Sequence, residues 1–434
     1  MTEPHGDDAR SGMGTPTEPM NDDAGAIDAF IAELGVALIR SGETVDEVQA
    51  ELLATARALG ADDIEVMALP TLLMVQSSRG QHLRPRLRPI SEAPLRLDQV
   101  GAVYDLLRRA QAGEVDPGRG IELLREFDAM RPSFGRVGRS FGLGVLAMGF
   151  SLMLQPTPGG AVIAFILGTL VGFVLTQGVE ELRPVLPTLL SFLVAAAVFV
   201  LADVYDGANP IRTLIAPLVI LLPGAAITGG TIELAAGETI SGASRLVRGL
   251  VDLLLLALGI TTAAALVGAP SIDLIDRPYQ TLGPWVLGVG LVLIAAGYHF
   301  HMCAPRRAIP WILLVLVVAF AGQSLGAYFF SPDLSAFFGA LVMTPVVLAV
   351  GRRPAGPPSM VLFLPGFYLL VPGATGLIGV TQTIGTGSNL SPSAFTPTMV
   401  TVAGIALGVL IGSAIMRSYW RFGASSTQRG VGPA

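Results

Sequence analysis

The sequence contains no lysine; all 27 of its basic residues are arginine. That excludes Schiff-base and catalytic-lysine chemistry. It also excludes a GxxxxGK[ST] phosphate loop, so an ATP-driven reading lacks its usual signature. Cysteine is nearly absent, and Cys303 alone admits neither an intrachain disulfide nor a cysteine-based metal cluster. Charge is scarce: 14% of the 434 residues are charged and 52% are hydrophobic, where an ordinary soluble chain carries about 25% charged residues. The first residues, with Glu3, Asp7 and Asp8, have neither the basic stretch nor the apolar core of a secretory signal, so the N-terminus is expected to stay in the cytoplasm.

The shortage of charge is uneven. Residues 1–140 hold 38 charged residues and the remaining 294 hold 22, a step that marks a boundary near Ser140 between a soluble part and a membrane part. Within the first part 23 acids outnumber 15 arginines, so no basic footprint for nucleic acid exists. Residues 1–24 lack periodicity and read as a disordered tail.

From Ala26 to about Ser140 the pattern is that of an α+β domain. Ile27, Phe30, Ile31, Leu34 and Leu38 mark an amphipathic helix ended by Gly42,. Thr44 and Glu47 have capping-box spacing for a second helix on Val45, Val48, Leu52 and Leu59, which Gly60 stops,. Between Ile64 and Ile90 the period falls to two, with Ile64, Val66 and Ala68 alternating outward, and three short strands fit; Pro85 makes the last an edge strand,. Two more helices follow, one on Val100, Val103, Leu107 and Ala110, the other opened by Asp116 and Pro117,. His82, Ser41, Ser77 and Ser78 are the nearest approach to hydrolytic chemistry, without the spacing of a known hydrolase signature,. An interaction or regulatory role is the reading kept for this part.

From Phe141 onward, ten apolar stretches of roughly membrane-spanning length succeed one another: 141–155, 159–178, 185–203, 211–229, 247–268, 283–302, 308–328, 335–350, 358–378 and 396–416,. They are too long and too uniformly apolar for barrel strands, which leaves a membrane all-α class. Arginines flank them asymmetrically. Arg131, Arg136, Arg139, Arg183, Arg245, Arg248, Arg306, Arg307, Arg352, Arg353, Arg417 and Arg421 fall on one side, and only Arg212 and Arg277 on the other. Both termini are therefore expected in the cytoplasm, which agrees with an even number of spans.

Two Pro-Gly breaks interrupt otherwise apolar stretches, LLPGAAITGG from Leu221 and LLVPGATGLIG from Leu369, with their prolines 149 residues apart. A shift of 149 carries the first five stretches onto the last five with almost no gaps,. Five is odd, so the second copy would enter the bilayer inverted, as in many secondary transporters. The expected organisation is a tail over 1–24, a cytoplasmic domain over 25–140, five-helix repeats over 141–268 and 283–417, and a cytoplasmic tail over 418–434.

A break frees backbone N–H and C=O groups that only a cavity or a substrate can satisfy, and a positive half-helix end suits a carboxylate. Pro223, Gly224 and Thr228 are therefore expected to meet Pro372, Gly373 and Thr375 in one substrate site. Near the spans, Glu233 and Glu238 lack a partner by spacing and are candidates for proton or ammonium binding, together with Asp252, although Asp252 lies four residues from Arg248 and the two could simply pair,. His299 and His301 read as interfacial anchors ahead of a proton relay. Gly404, Gly408 and Gly412 line one helix face and read as a packing surface,.

The run LIRSGETVDEV from Leu38, ALPTLLMVQSS from Ala68, LLPGAAITGG followed by GETISGASRLVRGL from Gly237, and FLPGFYLLVPG from Phe363 together resemble the bacterial threonine/serine exporter family. The resemblance covers nearly the whole chain from about residue 25, its second half being similar to a partner module that some bacteria encode separately. It implies export of L-threonine and L-serine across the bacterial plasma membrane, coupled to protons, with no enzymatic step, cofactor or metal. It leaves succinate-like dicarboxylates open as the alternative cargo, and self-association is left open too. From another class, the rival is a membrane-anchored hydrolase acting through the N-terminal part.

Overall fold

The computed structural model describes residues 22–77, 85–90, 93–178, 180–182, 184–201, 210–269, 282–353, 356–370, 372–385 and 396–428. Residues 1–21 of the tail expected over 1–24, the Ser78 and His82 positions, and Arg183 and Arg277 lie outside the described residues.

The first part packs four helices, α1 (Asp22–Arg40), α2 (Val45–Ala58), α3 (Leu97–Gln111) and α4 (Pro117–Asp128), with an antiparallel sheet of β1 (Ile64–Leu69), β2 (Leu72–Ser77) and β3 (Arg86–Pro89) in the order β1-β2-β3. Gly42 and Gly60 end α1 and α2 with φ of 95° and 78°, a left-handed step that glycine makes without a Cβ clash. Asp116 caps α4, accepting the Arg119 N–H at 3.0 Å, and Pro117 follows at its first position. Phe30, Leu34, Val48, Leu52, Leu73, Val103 and Leu106 form the core between the sheet and the helices.

Three local expectations are corrected. α1 begins at Asp22, four residues before Ala26. Ile64 and Ala68 face the core, being 5% and 2% exposed, while Glu65 and Met67 face out; a period-two pattern fixes a shared face but leaves its direction open. The Thr44 side chain makes no capping bond. The first amide of α2, at Val45, which an N-cap side chain does not reach, is taken by a carboxylate from far along the chain.

Among the described residues from Arg136 onward the α-helices are α5 (Arg136–Leu154), α6 (Pro158–Leu175), α7 (Leu186–Leu201), α8 (Pro210–Leu218), α9 (Gly224–Ala236), α10 (Thr239–Val267), α11 (Trp285–His301), α12 (Ile309–Phe329), α13 (Ser335–Gly351), α14 (Ser359–Leu370), α15 (Pro372–Gly385) and α16 (Thr396–Gln428). α5, α6, α10, α12 and α16 are long and apolar enough to cross a membrane, as is α8 with α9 taken as one broken span; α7, α11, α13 and α14 are shorter apolar helices. Val162, Ile166, Leu170 and Phe173 leave α6 an exposed apolar face, the signature of a surface that meets lipid. Helix ends depart from the expected ones at two places. α10 starts eight residues before 247, so Arg245 and Arg248 ride on a continuous 29-residue helix, and α16 runs on to Gln428, into the stretch expected as a tail.

The packing partners recur at the same offset. α10 packs on α7 and α9, as α16 packs on α13 and α15; α8 touches α5, α6 and α7, as α14 touches α11, α12 and α13. At the closest contacts the offset holds residue by residue. A Cβ placed on Gly259 of α10 would meet the Thr188 carbonyl of α7 at 2.5 Å, and one on Gly408 of α16 would meet the Phe337 carbonyl of α13 at 2.6 Å. Both pairs differ by 149 positions. Gly412 likewise sits against Thr344, so the glycine face of α16 is a packing surface.

Candidate functional site

The first Pro-Gly break lies between α8 and α9. α8 tightens into a 3-10 turn over Val219–Leu221, Leu222 is extended, and α9 leaves from Gly224 at an angle of 63°. Pro217 inside α8 and Pro223 at the break withhold two backbone donors, which weakens the ladder where the chain turns. Pro223, Gly224 and Thr228 are all buried. The second break separates α14 from α15, which opens at Pro372 and Gly373; the side chains of Pro372 and Thr375 lie outside the described residues.

The flanks of the breaks touch. The Tyr368 hydroxyl, on the last turn of α14, donates to the Ile220 carbonyl, in the turn before Pro223, at 3.4 Å. α9 packs against α15, α14 and α16, and α15 against α10. Each break thus opens a half-helix whose first N–H groups have no intrahelical acceptor, and the end of α8 presents carbonyls.

Within these helices several polar atoms are buried without a partner among the described residues: the hydroxyls of Thr228 on α9, Thr381 on α15 and Thr398 on α16, all 0% exposed, and that of Tyr298 on α11. Elsewhere a buried threonine satisfies itself locally, as Thr344 does on the Ala340 carbonyl at 2.8 Å. An unsatisfied buried hydroxyl is costly, by about 1–3 kcal/mol, so those left open are binding candidates. Thr381, Thr398 and Tyr368 carried no sequence signal: threonine is common in apolar helices, and the Tyr368 contact spans 148 positions.

The acids fall out differently from the expectation. Glu233 does have a partner. It is fully buried on α9, its Oε2 lies 3.1 Å from Arg245 Nε on α10, and its Oε1 accepts the Val45 N–H at 3.1 Å. Spacing concealed both contacts, because Gly237 turns α9 back onto α10 and Val45 is 188 positions away. Arg245 Nη2 also donates to the Glu43 carbonyl at 3.1 Å, and the Tyr104 hydroxyl donates to the Glu43 carboxylate. Burial pushes the Glu43 carboxyl up to about 8, with Glu47, Glu51 and Asp46 adding to the shift and Arg245 opposing it. Glu238 is half-buried at the start of α10 and makes no side-chain capping bond. Asp252 pairs with Arg248 at 3.4 Å along one helix face.

His299 and His301 both bond to backbone carbonyls. His299 Nδ1 lies 2.6 Å from the Ala304 carbonyl and His301 Nδ1 lies 3.0 Å from the Arg139 carbonyl, both as donors, and Arg139 Nε returns a bond to the His301 carbonyl. Ser41 and Ser77 spend their hydroxyls on the Ala37 carbonyl and on Asp63. Among the described residues no cluster of His, Cys, Asp or Glu is arranged to hold a metal ion.

The family model described as "putative threonine/serine exporter" matches residues 29–267, from α1 through the end of α10. No curated protein and no solved structure matches the chain.

Proposed function

We propose, from the premise that this chain belongs to the threonine/serine exporter family, that it is a secondary transporter carrying L-threonine and L-serine out of the cell through a site shared by its two Pro-Gly breaks. The observation that carries the reading is the Tyr368–Ile220 contact, which brings the flanks of the two breaks together. Two inverted five-span repeats account for the recurrence of packing partners at an offset of 149,. The arginine asymmetry supports cytoplasmic termini, with residues 25–140 on the cytoplasmic side.

The chemistry of such a site follows from the backbone. An α-carboxylate fits the N-terminal end of α9 or α15, where N–H groups have no intrahelical acceptor. An ammonium group fits the carbonyls at the end of α8. A formal charge at the bilayer midplane costs about 2.5–3.5 kcal/mol on insertion scales, which favours dipoles and the hydroxyls of Thr228 and Thr398 as ligands there. Glu233, tied to Arg245, sits about three helical turns from the break at 1.5 Å per residue and belongs to the cytoplasmic end of the path. Proton coupling is the drive that fits a chain without a phosphate loop. A dicarboxylate is the second reading, since two half-helix N-termini start at the breaks and could each hold one carboxylate.

The test is efflux from cells loaded with threonine- or serine-containing dipeptides, with succinate in parallel. Faster appearance of either amino acid outside supports the reading. Faster succinate efflux with unchanged amino acid efflux replaces it with the dicarboxylate one, and export that survives an uncoupler but stops on ATP depletion removes the proton drive.

A further inference from the structure

The turn between α1 and α2 touches both broken spans at once. Val45 donates its N–H to Glu233 on α9, the Glu43 carbonyl accepts from Arg245 on α10, and Gly42 lies against the methyl end of Met360 on the first turn of α14, where a Cβ would come within 2.9 Å. α9 and α14 are halves of the first and second broken spans and pack on each other. The turn itself is fixed, with the Ser41 and Gly42 amides bonded back to α1 carbonyls and the Glu43 side chain held by Tyr104 of α3. A rigid five-residue turn is thus clamped across the ends of the two helices that lead to the breaks.

We propose that this turn is a gate closing the path from the N-terminal side to the breaks, and that the buried Glu233–Arg245 pair is its lock. A domain merely tethered to the membrane part would need no such contact. Exposed ion pairs serve that purpose at little gain, whereas a fully buried carboxylate is retained only when its hydrogen bonds are satisfied, and here the turn supplies one of them. Withdrawal of the turn removes the Val45 N–H from Glu233, the Glu43 carbonyl from Arg245 and the Gly42 contact from Met360 in one motion, leaving the Glu233–Arg245 pair to itself and the ends of α9 and α14 free to part. Closed and open states therefore differ by a small set of bonds, the condition for a two-state switch. The direction of passage through the gate rests on the export reading above; the covering of the path does not.

Two measurements in a Cys303→Ser background test it. In everted vesicles, Thr228→Cys reports access to the first break by its reaction with a membrane-impermeant maleimide. Adding Glu233→Gln and Arg245→Gln should raise that rate at least tenfold, and an unchanged rate overturns the gate. Separately, Glu43→Cys and Met360→Cys, bridged by a short bifunctional thiol reagent with a reducible linker, should cut threonine and serine transport at least tenfold and regain it on reduction. Full transport while bridged also overturns the gate. The bridged variant keeps Glu233 and Arg245, so it decides the matter even where the neutral pair fails to fold. Faster maleimide reaction in a protein that moves neither amino acid leaves the gate standing and removes the export reading instead.

Discussion

The two halves of the membrane part share their packing but not their charges. Helix for helix the partners recur, down to Gly259 on Thr188 and Gly408 on Phe337. Yet Glu233 and Asp252 of the first half correspond, 149 residues on, to Gln382 and Thr401. Arg245 corresponds to Ala394 and Arg248 to Pro397. The first half meets the N-terminal part through its charges, at Val45 and Glu43, while α14 of the second half meets it through Met360. The second half also holds the N-terminal part by polar contacts, but elsewhere, with Arg307 paired to Asp105 of α3 and the Met302 carbonyl accepting the Leu97 N–H; the packing recurs at the offset and the charged contacts do not.

The largest effects should come from what the halves share. Gly224→Leu and Gly373→Leu are each expected to cut threonine or serine efflux at least a hundredfold while the protein still reaches the membrane, because each places a side chain where a break must stay open. Equal amounts of protein with selectively lost efflux support a shared site. Parallel loss of protein and efflux would assign the breaks to packing.

Next comes a feature of one half only. Glu233→Gln leaves Arg245, 17% exposed, without its counter-charge, and removing one member of a buried pair costs about 3 kcal/mol at the low end of the usual range. Thermal unfolding in detergent should show that loss, and adding Arg245→Gln should recover part of it, since the two side chains interact directly. Additive losses would mean that the pair contributes nothing.

Gly259→Ala and Gly408→Ala sharpen the equivalence of the halves. Each pushes a methyl into a carbonyl across a helix interface, an overpacking of about 1–3 kcal/mol. The two losses should agree within about 0.5 kcal/mol, the scatter expected of independent sites; a large loss at one position alone would break the comparison.

A further feature of the contact between the N-terminal part and the first half is a pH dependence at Glu43. Facing its carboxyl are Glu47, Glu51 and Asp46 from α2, Tyr104 from α3, Arg245 from α10 and, through the shared Arg245, Glu233 from α9. Because the folded chain holds this proton up to about 8 and the unfolded chain only to about 4.5, the folded state binds more protons in between. Its contribution to stability is complete below about 4.5 and is lost as pH rises through about 8. Unfolding temperatures should fall across that window, and Glu43→Gln should flatten the slope.

The sequence carried these features unequally, for physical reasons. Gly42, Gly60 and Asp116 could be read directly because each acts within a few residues of itself. The Pro-Gly breaks were legible because proline and glycine interrupt a helix wherever it lies, and the offset of 149 because a repeat is a property of sequence. Asp252 with Arg248 was legible as a pair at helical spacing. Glu233 with Val45 was not, since no local pattern announces a bond across 188 positions. Thr44 and Glu47 misled because a capping box is only a local preference, and the Thr44 side chain makes no capping bond in the fold. Thr381 and Thr398 stand out only once the lack of a partner is visible.

The claim that the breaks form one site is met most directly by substrate protection. Thr228→Cys and Thr375→Cys, each alone in a Cys303→Ser background, are reacted with a small permeant thiol reagent while serine is titrated. One shared site predicts that serine slows both reactions with the same half-protecting concentration. Protection at one position only, or at neither, would contradict it.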